Sequence, residues 1–173
     1  MSIFKRNLTS KVLEGQSSLI ISKKSSPISI LEVGCGDGNI SLNLAQKYPN
    51  NNFYASDISN EAIIEAKSKK QDSVIFKVGS GIDIWQDHKF DLVICDISAI
   101  SEKIAGISDW YEGVSCKTGD DGLDVIRPVI ENVGRILNPS GIFVIPVITL
   151  CNINLQKEIL KSVFSSVNYS KEI

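Results

Sequence analysis

The chain has 173 residues, 43% of them apolar, with 18 basic against 20 acidic side chains and a net charge of −2. That length suits one domain with a substantial core, no Pro/Gly/Ser-rich or charged linker divides it, and the balanced charge gives no global signature of a polyanion partner such as nucleic acid. No apolar run of membrane-spanning length and no signal-peptide pattern occurs, so membrane and secretory readings fall away. Cys35, Cys95, Cys116 and Cys151 are scattered and His88 is the single histidine, which leaves little material for a zinc cluster and suits reduced thiols in a cytoplasm.

Residues 1–26 are Ser- and Lys-rich with spaced apolar residues (Ile3, Phe4, Leu8, Val12, Leu13, Leu19, Ile20) and are expected to form an N-terminal helical segment. A single α/β domain is expected over 27–173. Strand-length apolar runs alternate there with helix-period segments: strand 28–33, helix 40–48, strand 52–56, helix 61–69, strand 74–78. Residues 90–95 form a continuous apolar run, as expected of a strand covered on both faces, and 142–150 read as another strand. Between them Leu123, Ile126, Ile130, Val133 and Leu137 recur at three- and four-residue spacing, predicting a helix over 123–137 that Asn138-Pro139-Ser140-Gly141 stops. A last amphipathic helix is predicted over 154–164, and 168–173 are at most the start of a further strand. The architecture this pattern predicts is a Rossmann-like, doubly wound, mostly parallel sheet with helices on both faces. It either is shortened or stops before a hairpin that would close the sheet edge, and an uncovered edge makes a homodimer the expected assembly.

Ile30-Leu31-Glu32-Val33-Gly34-Cys35-Gly36-Asp37-Gly38 is a buried strand running into three alternating glycines, followed directly by a helix. Such glycines let the chain turn off a strand with positive φ and bring backbone N–H groups against a ligand with no Cβ between. Phe53-Tyr54-Ala55-Ser56-Asp57 is a second strand ending in a carboxylate about 20 residues on, the distance at which ribose hydroxyls are held. Together they predict an adenine-nucleoside cofactor site, with the N-terminal helix lying over that end. The bland reading of Asp57 is a carboxylate beside a helix N-cap supplied by Ser59 or Asn60. The short basic clusters Lys5-Arg6, Lys23-Lys24 and Lys67-Ser68-Lys69-Lys70 read as solvated faces.

The glycine spacing departs from Gly-x-Gly-x-x-Gly, and Glu32 disfavours a pyrophosphate while suiting a cationic amino-acid moiety. This pattern resembles the first motif of class I S-adenosylmethionine-dependent methyltransferases. The resemblance implies that Glu32, Gly34, Cys35, Gly36 and Gly38 bind the methionine side of S-adenosylmethionine, that Asp57 holds the ribose, and that Ile58 offers an apolar wall to adenine. Ser80 stands where many relatives carry an acid for the adenine amino group, a role open to its hydroxyl or to nearby Asp83. Gly119-Asp120-Asp121-Gly122-Leu123-Asp124-Val125-Ile126-Arg127 and Leu137-Asn138-Pro139-Ser140-Gly141 further resemble the release-factor glutamine methyltransferase group. That group places Asn-Pro-Pro-Tyr after the fourth strand, whereas this chain reads Asp96-Ile97-Ser98-Ala99, without the prolines or the stacking aromatic. Asp96 and Ser98 are therefore the candidate catalytic pair.

What the resemblance implies is methyl transfer to a nitrogen of a protein or RNA acceptor, the acceptor itself being unidentified. Three rivals stand beside it: a nicotinamide-dependent oxidoreductase, which lacks a Tyr-x-x-x-Lys or His proton donor here; a cofactor-binding subunit without catalysis; and an oxygen-directed methyltransferase on a small metabolite, with Asp96 helping to hold a divalent metal. Asp96 is equally placed to cap the segment that follows it. Trp85, Trp110 and Tyr111 are aromatics that either stack on a planar substrate or pack the core, and residues 119–124 read as a turn and helix start.

Overall fold

Five strands, β1 (Ser29–Val33), β2 (Asn52–Asp57), β3 (Val74–Val78), β4 (Phe90–Cys95) and β5 (Leu137–Val144), form a wholly parallel sheet in the order β3-β2-β1-β4-β5. The structure, a computed structural model, describes residues 8–69, 72–107 and 118–170. Among the described residues six α-helices accompany the strands: α1 (Leu8–Ser22), α2 (Asn39–Lys47), α3 (Asn60–Ser68), α4 (Glu102–Ala105), α5 (Ile126–Asn132) and α6 (Ile153–Val163). Strand order reverses between β1 and β4, which opens a crevice beyond their carboxyl ends, the place where open α/β sheets put their ligands.

Two apolar layers sandwich the sheet. In β1, Ile30 joins Leu13, Ile40, Leu44 and Ile63 of α1–α3, while Leu31 and Val33 join Ile126, Ile130, Ile159 and Leu160 of α5 and α6. In β4, Leu92 and Ile94 face the first layer, and Val93 and Cys95 the second. This two-residue alternation explains why both central strands carry apolar residues on both faces, and it sends Glu32 of β1 and Asp96, the residue after β4, toward the α1 side. On α1, Ser10, Leu13, Ser17 and Ile21 are buried at helical spacing, so one face of the helix lies on the domain.

The boundaries differ from expectation in the C-terminal half. The predicted helix over 123–137 is shorter, ending at Asn132 and continuing as a 3₁₀ turn to Arg135, although Leu123, Ile126, Ile130 and Val133 of its apolar stripe are all fully buried. The predicted strand over 142–150 instead runs from Leu137, so Asn138-Pro139-Ser140-Gly141 lies inside β5 and not in a turn before it. Phe90 pairs with Leu137 and Leu92 with Ile142, so β5 carries three residues more than β4 over this stretch. Such a bulge on an edge strand absorbs a proline that cannot donate to the ladder. Asn138 Nδ2 ties it down by donating to Asp91 Oδ1 at 2.7 Å. Helix α4 was not foreseen, and Asn168–Ser170 form no strand.

Candidate active site

β1 ends in a turn whose geometry requires glycine. Gly34 has φ +78°, and a Cβ there would lie 2.9 Å from Ile97 Cγ1 and 3.1 Å from the Ile97 nitrogen, so the turns after β1 and β4 pass in contact. Gly34 and Cys35 N–H groups both donate to the Ser56 carbonyl, at 2.8 and 3.0 Å, and Gly36 N–H donates to Asp57 Oδ2 at 2.8 Å. The other Asp57 oxygen accepts from the Ser59 N–H at 2.9 Å, while Ser59 caps α3 by accepting from Ala62 N–H. Asp57 thus staples the glycine turn to the end of β2. Each of its oxygens keeps a second lone pair for a further donor.

A cleft opens over these turns. Glu32, Val33, Gly34, Cys35 and Gly36 line it from β1, Asn39 and Ile40 from α2, and Asp57 and Ile58 from β2. Gly79, Ser80 and Gly81 follow β3, Asp96, Ile97 and Ser98 follow β4, and Ser10, Thr118 and Val125 complete the lining. Its acidic members are Glu32, Asp57 and Asp96, with no Lys, Arg or His among the described lining residues. Such a lining favours a cationic ligand.

Glu32 is 1% exposed, and its Oε2 accepts from the Ser41 N–H at 2.9 Å and from the Ser41 hydroxyl. Burial pushes its carboxyl up to about 8, against the lowering pull of the Ser41 bonds and with help from the charge of Asp96. Asp96 is pushed up to about 6 by burial, opposed by a hydrogen bond from Ser10 Oγ to its Oδ2 at 2.7 Å. Burial, reinforced by the charges of Glu32 and Asp57, also drives the Cys35 thiol far above its ordinary range, so that it lines the cleft as an inert, weakly polar wall.

Nine of the ten residues singled out from sequence meet in this cleft: Glu32, Gly34, Cys35, Gly36, Asp57, Ile58, Ser80, Asp96 and Ser98. Gly38 lies outside the lining. Its φ is +76°, and a Cβ there would strike the Phe76 ring at 2.9 Å and Ala66 Cβ at 3.0 Å, so it seats α2 against β3 and α3. Asp83 is not in the lining either; its Oδ1 takes a bond from Gln86 and faces Arg135 at 4.0 Å. Trp85 is fully buried in an edge-to-face cluster with Tyr54 and Phe90, its indole N–H donating to Ser56 Oγ at 3.1 Å. It is core and offers no stacking surface, while Trp110, Tyr111 and Cys116 lie outside the described residues. The 119–124 turn is stapled by Asp121, which accepts from Leu123 N–H at 2.8 Å and pairs with Arg127 at 2.9 Å.

Two contributors were not read from sequence. Ser10 reaches the cleft from α1, 86 residues before its partner Asp96. Lys69, assigned to a solvated face, donates to the Asp37 carbonyl (2.8 Å), Asp37 Oδ2 (2.9 Å) and Asn39 Oδ1 (2.9 Å), and so clamps the glycine turn from the end of α3. A capped cluster of lysines gives no clue in sequence that one of them folds back on a loop 32 residues away.

The parallel sheet in this order, the positive-φ glycine turn after β1 and the carboxylate closing β2 define the Rossmann-like fold of class I S-adenosylmethionine-dependent methyltransferases. The chain belongs to the methyltransferase domain family, whose model matches residues 24–171. In fold it is similar to a precorrin-6y C5,15-methyltransferase from Geobacter metallireducens, with a TM-score of 0.63 and 14% identity over 93% of this chain and 74% of that one. It is likewise similar to a TehB-like SAM-dependent methyltransferase from Corynebacterium glutamicum, with a TM-score of 0.59 and 19% identity over 91% and 73% of the two chains. In sequence it is 31% identical over 121 residues to the release factor glutamine methyltransferase of Streptococcus pneumoniae, covering 66% of this chain and 43% of that protein. It is 33% identical over 125 residues to the bifunctional methyltransferase of Rickettsia prowazekii, covering 65% and 24%. The chain therefore spans less than half the length of these two curated relatives, 43% of one and 24% of the other.

Proposed function

We propose that this chain is an S-adenosylmethionine-dependent methyltransferase acting on a nitrogen of a protein or RNA acceptor. The observation that carries the reading is the meeting of a glycine cradle, a strand-end carboxylate and Asp96 in one cleft lined by carboxylates and, among the described residues, by no cation. The residues fit the cofactor. Gly34 and Gly36 keep the cradle free of side chains, with φ of +78° and +51°. Asp57 has lone pairs left for the ribose hydroxyls, Glu32 lies where an ammonium would relieve its costly burial, and Ile58, 74% exposed, offers an apolar face to adenine beside Ser80.

S-adenosylmethionine, when bound, supplies a methyl group already activated by sulfonium charge, so the protein's contribution is chiefly alignment. Asp96 accepts an N–H of the acceptor, aims its lone pair at the methyl and takes the proton that the nitrogen sheds; Ser98 assists as a hydrogen-bonding group. With its carboxyl pushed up to about 6, Asp96 is ionised at neutral pH and a better base than an ordinary aspartate. In this reading α1 (Leu8–Ser22) works as one unit with the domain that follows it, a homodimer forms through an unpaired sheet edge, and the site of action is the cytoplasm.

A second reading is favoured by Asp96-Ile97-Ser98-Ala99 itself, which lacks a planar stacking partner: a subunit that binds the cofactor and transfers nothing. Incubation with methyl-tritiated S-adenosylmethionine and, in turn, a glutamine-bearing release factor and bulk RNA separates the two. Label in either acceptor that Asp96→Ala reduces at least tenfold, with no requirement for added divalent metal, supports nitrogen-directed transfer. Saturable cofactor binding with no label in any acceptor supports the non-catalytic subunit, and label that needs added metal on a small hydroxylated metabolite supports the oxygen-directed rival.

A further inference from the structure

The hydrogen bond between Ser10 and Asp96 joins two parts of the chain that nothing in the family motif connects. Ser10 is 4% exposed, lies in the first turn of α1, and sits on the face that also buries Leu13, Ser17 and Ile21. Its hydroxyl donates to Asp96 Oδ2 at 2.7 Å, and both residues line the cleft. α1 is tied to α2 along its length: Asn43 Nδ2 donates to Glu14 at 3.1 Å, and toward the amino ends of the strands Lys47 Nζ donates to Ser18 Oγ at 2.8 Å and the Tyr48 hydroxyl to the Ser18 carbonyl at 3.0 Å. The helix is therefore fixed to α2, and Ser10 is presented to Asp96 from a rigid element and not from a loop.

We propose that Ser10 is a positioning residue for methyl transfer: it occupies Oδ2 of Asp96, fixes the rotamer of that carboxylate and leaves Oδ1 as the oxygen that faces the acceptor nitrogen. This rests on the reading of Asp96 as the acceptor-binding group. A hydrogen bond donated to a carboxylate stabilises the ionised form, so Ser10 also works against the burial that raises the Asp96 carboxyl and increases its ionised, accepting fraction at neutral pH. Among the described residues the titratable groups that feel this carboxylate are Glu32, on the same side of the adjacent strand β1, and the neighbouring Cys95 thiol at the end of β4. From α1 the contact is the Ser10 hydroxyl.

The sign of one shift distinguishes positioning from mere packing. Losing the hydrogen bond with α1 still docked leaves Asp96 buried and less stabilised, which raises its midpoint. Loosening α1 admits water, which lowers it. The experiment is carbon-13 NMR titration of the full chain labelled at aspartate side-chain carboxyls, with Asp96 assigned by its disappearance in Asp96→Asn. In the unsubstituted chain Asp96 is expected to titrate near pH 6. In Ser10→Ala the midpoint rises by about one pH unit, the size expected for one lost hydrogen bond to a charged group. Ser17→Ala, which removes a buried hydroxyl from the same helix face that bonds no partner among the described residues, leaves it unmoved. An unchanged or lowered midpoint in Ser10→Ala overturns the proposal. Calorimetry with S-adenosylmethionine on the same samples keeps the two claims apart. Cofactor binding equal within about twofold in both chains, together with an unmoved Asp96, sinks the positioning role alone, whereas no cofactor binding by the unsubstituted chain sinks the methyltransferase reading and leaves the Ser10 titration to stand on its own.

Discussion

Glu32 is held where its charge is costly, and that has a consequence for stability. Its carboxyl is pushed from an ordinary 4.5 to about 8 in the folded chain. A group whose proton affinity is higher folded than unfolded binds more protons in the native state, so stability is greatest below pH 4.5 as far as Glu32 is concerned and declines as pH rises through about 8. Asp96 adds a decline of the same sign that is complete above about 6. Denaturant unfolding of the ligand-free chain between pH 6.5 and 8.5 is expected to give a falling midpoint, and Glu32→Gln, which keeps the shape without the charge, is expected to flatten it. A slope unchanged in the variant would place the titration elsewhere. Both acids were legible in sequence because each terminates or interrupts an apolar strand, where a carboxylate has no packing reason to be. Ser10 was not legible, since a serine in a polar, Ser-rich segment carries no signal until the fold brings it to a partner 86 residues away.

At the level of elements, the site is a set of strand ends held in register by turns, and the turn after β1 is the critical piece. Gly34→Ala forces a Cβ both into a left-handed conformation and against the backbone of Ile97, 3.1 Å from its nitrogen, where no flexible side chain can yield. A loss of about 2 kcal/mol of stability and at least a tenfold loss of S-adenosylmethionine affinity are expected, read by thermal unfolding and calorimetry. Lys69→Met keeps the aliphatic stem and removes the three bonds that clamp Asp37 and Asn39. Because that ammonium is about a third exposed, the expected effect is modest: affinity weaker by about threefold, with little change in melting temperature. Equal or stronger binding would show that the clamp does not shape the cradle. Periodicity located β1–β4, α2 and α3 to within a residue or two because amphipathic faces and continuous apolar runs are both repeated signals. It misplaced the start of β5 because Asn138-Pro139-Ser140-Gly141 has turn chemistry, and only the three-residue bulge against Phe90 and Leu92 reveals that an edge strand can absorb it.

At the scale of the molecule, the doubly wound sheet explains why so many of the site residues were readable: a parallel sheet gathers all its strand ends at one edge, so a motif after each strand is enough to place them together. What that rule does not supply is the contact that α1 makes with the cleft: spaced apolar residues predict the helix and its place over that end, but Ser10, which lines the cleft beside Asp96, follows no strand and belongs to no motif. Nor does it supply the acceptor, because the residues following β4 depart from the group the rest of the chain resembles. Among the described residues no helix is long and apolar enough to cross a membrane. The central claim is that the glycine turn and Asp57 form one cofactor site, and calorimetric titration of the purified chain and of Asp57→Ala with S-adenosylmethionine tests it most directly. Saturable binding to the unsubstituted chain, weakened at least tenfold in a variant that remains folded, is the expected result; no binding by a folded chain, or equal binding by both, would contradict it.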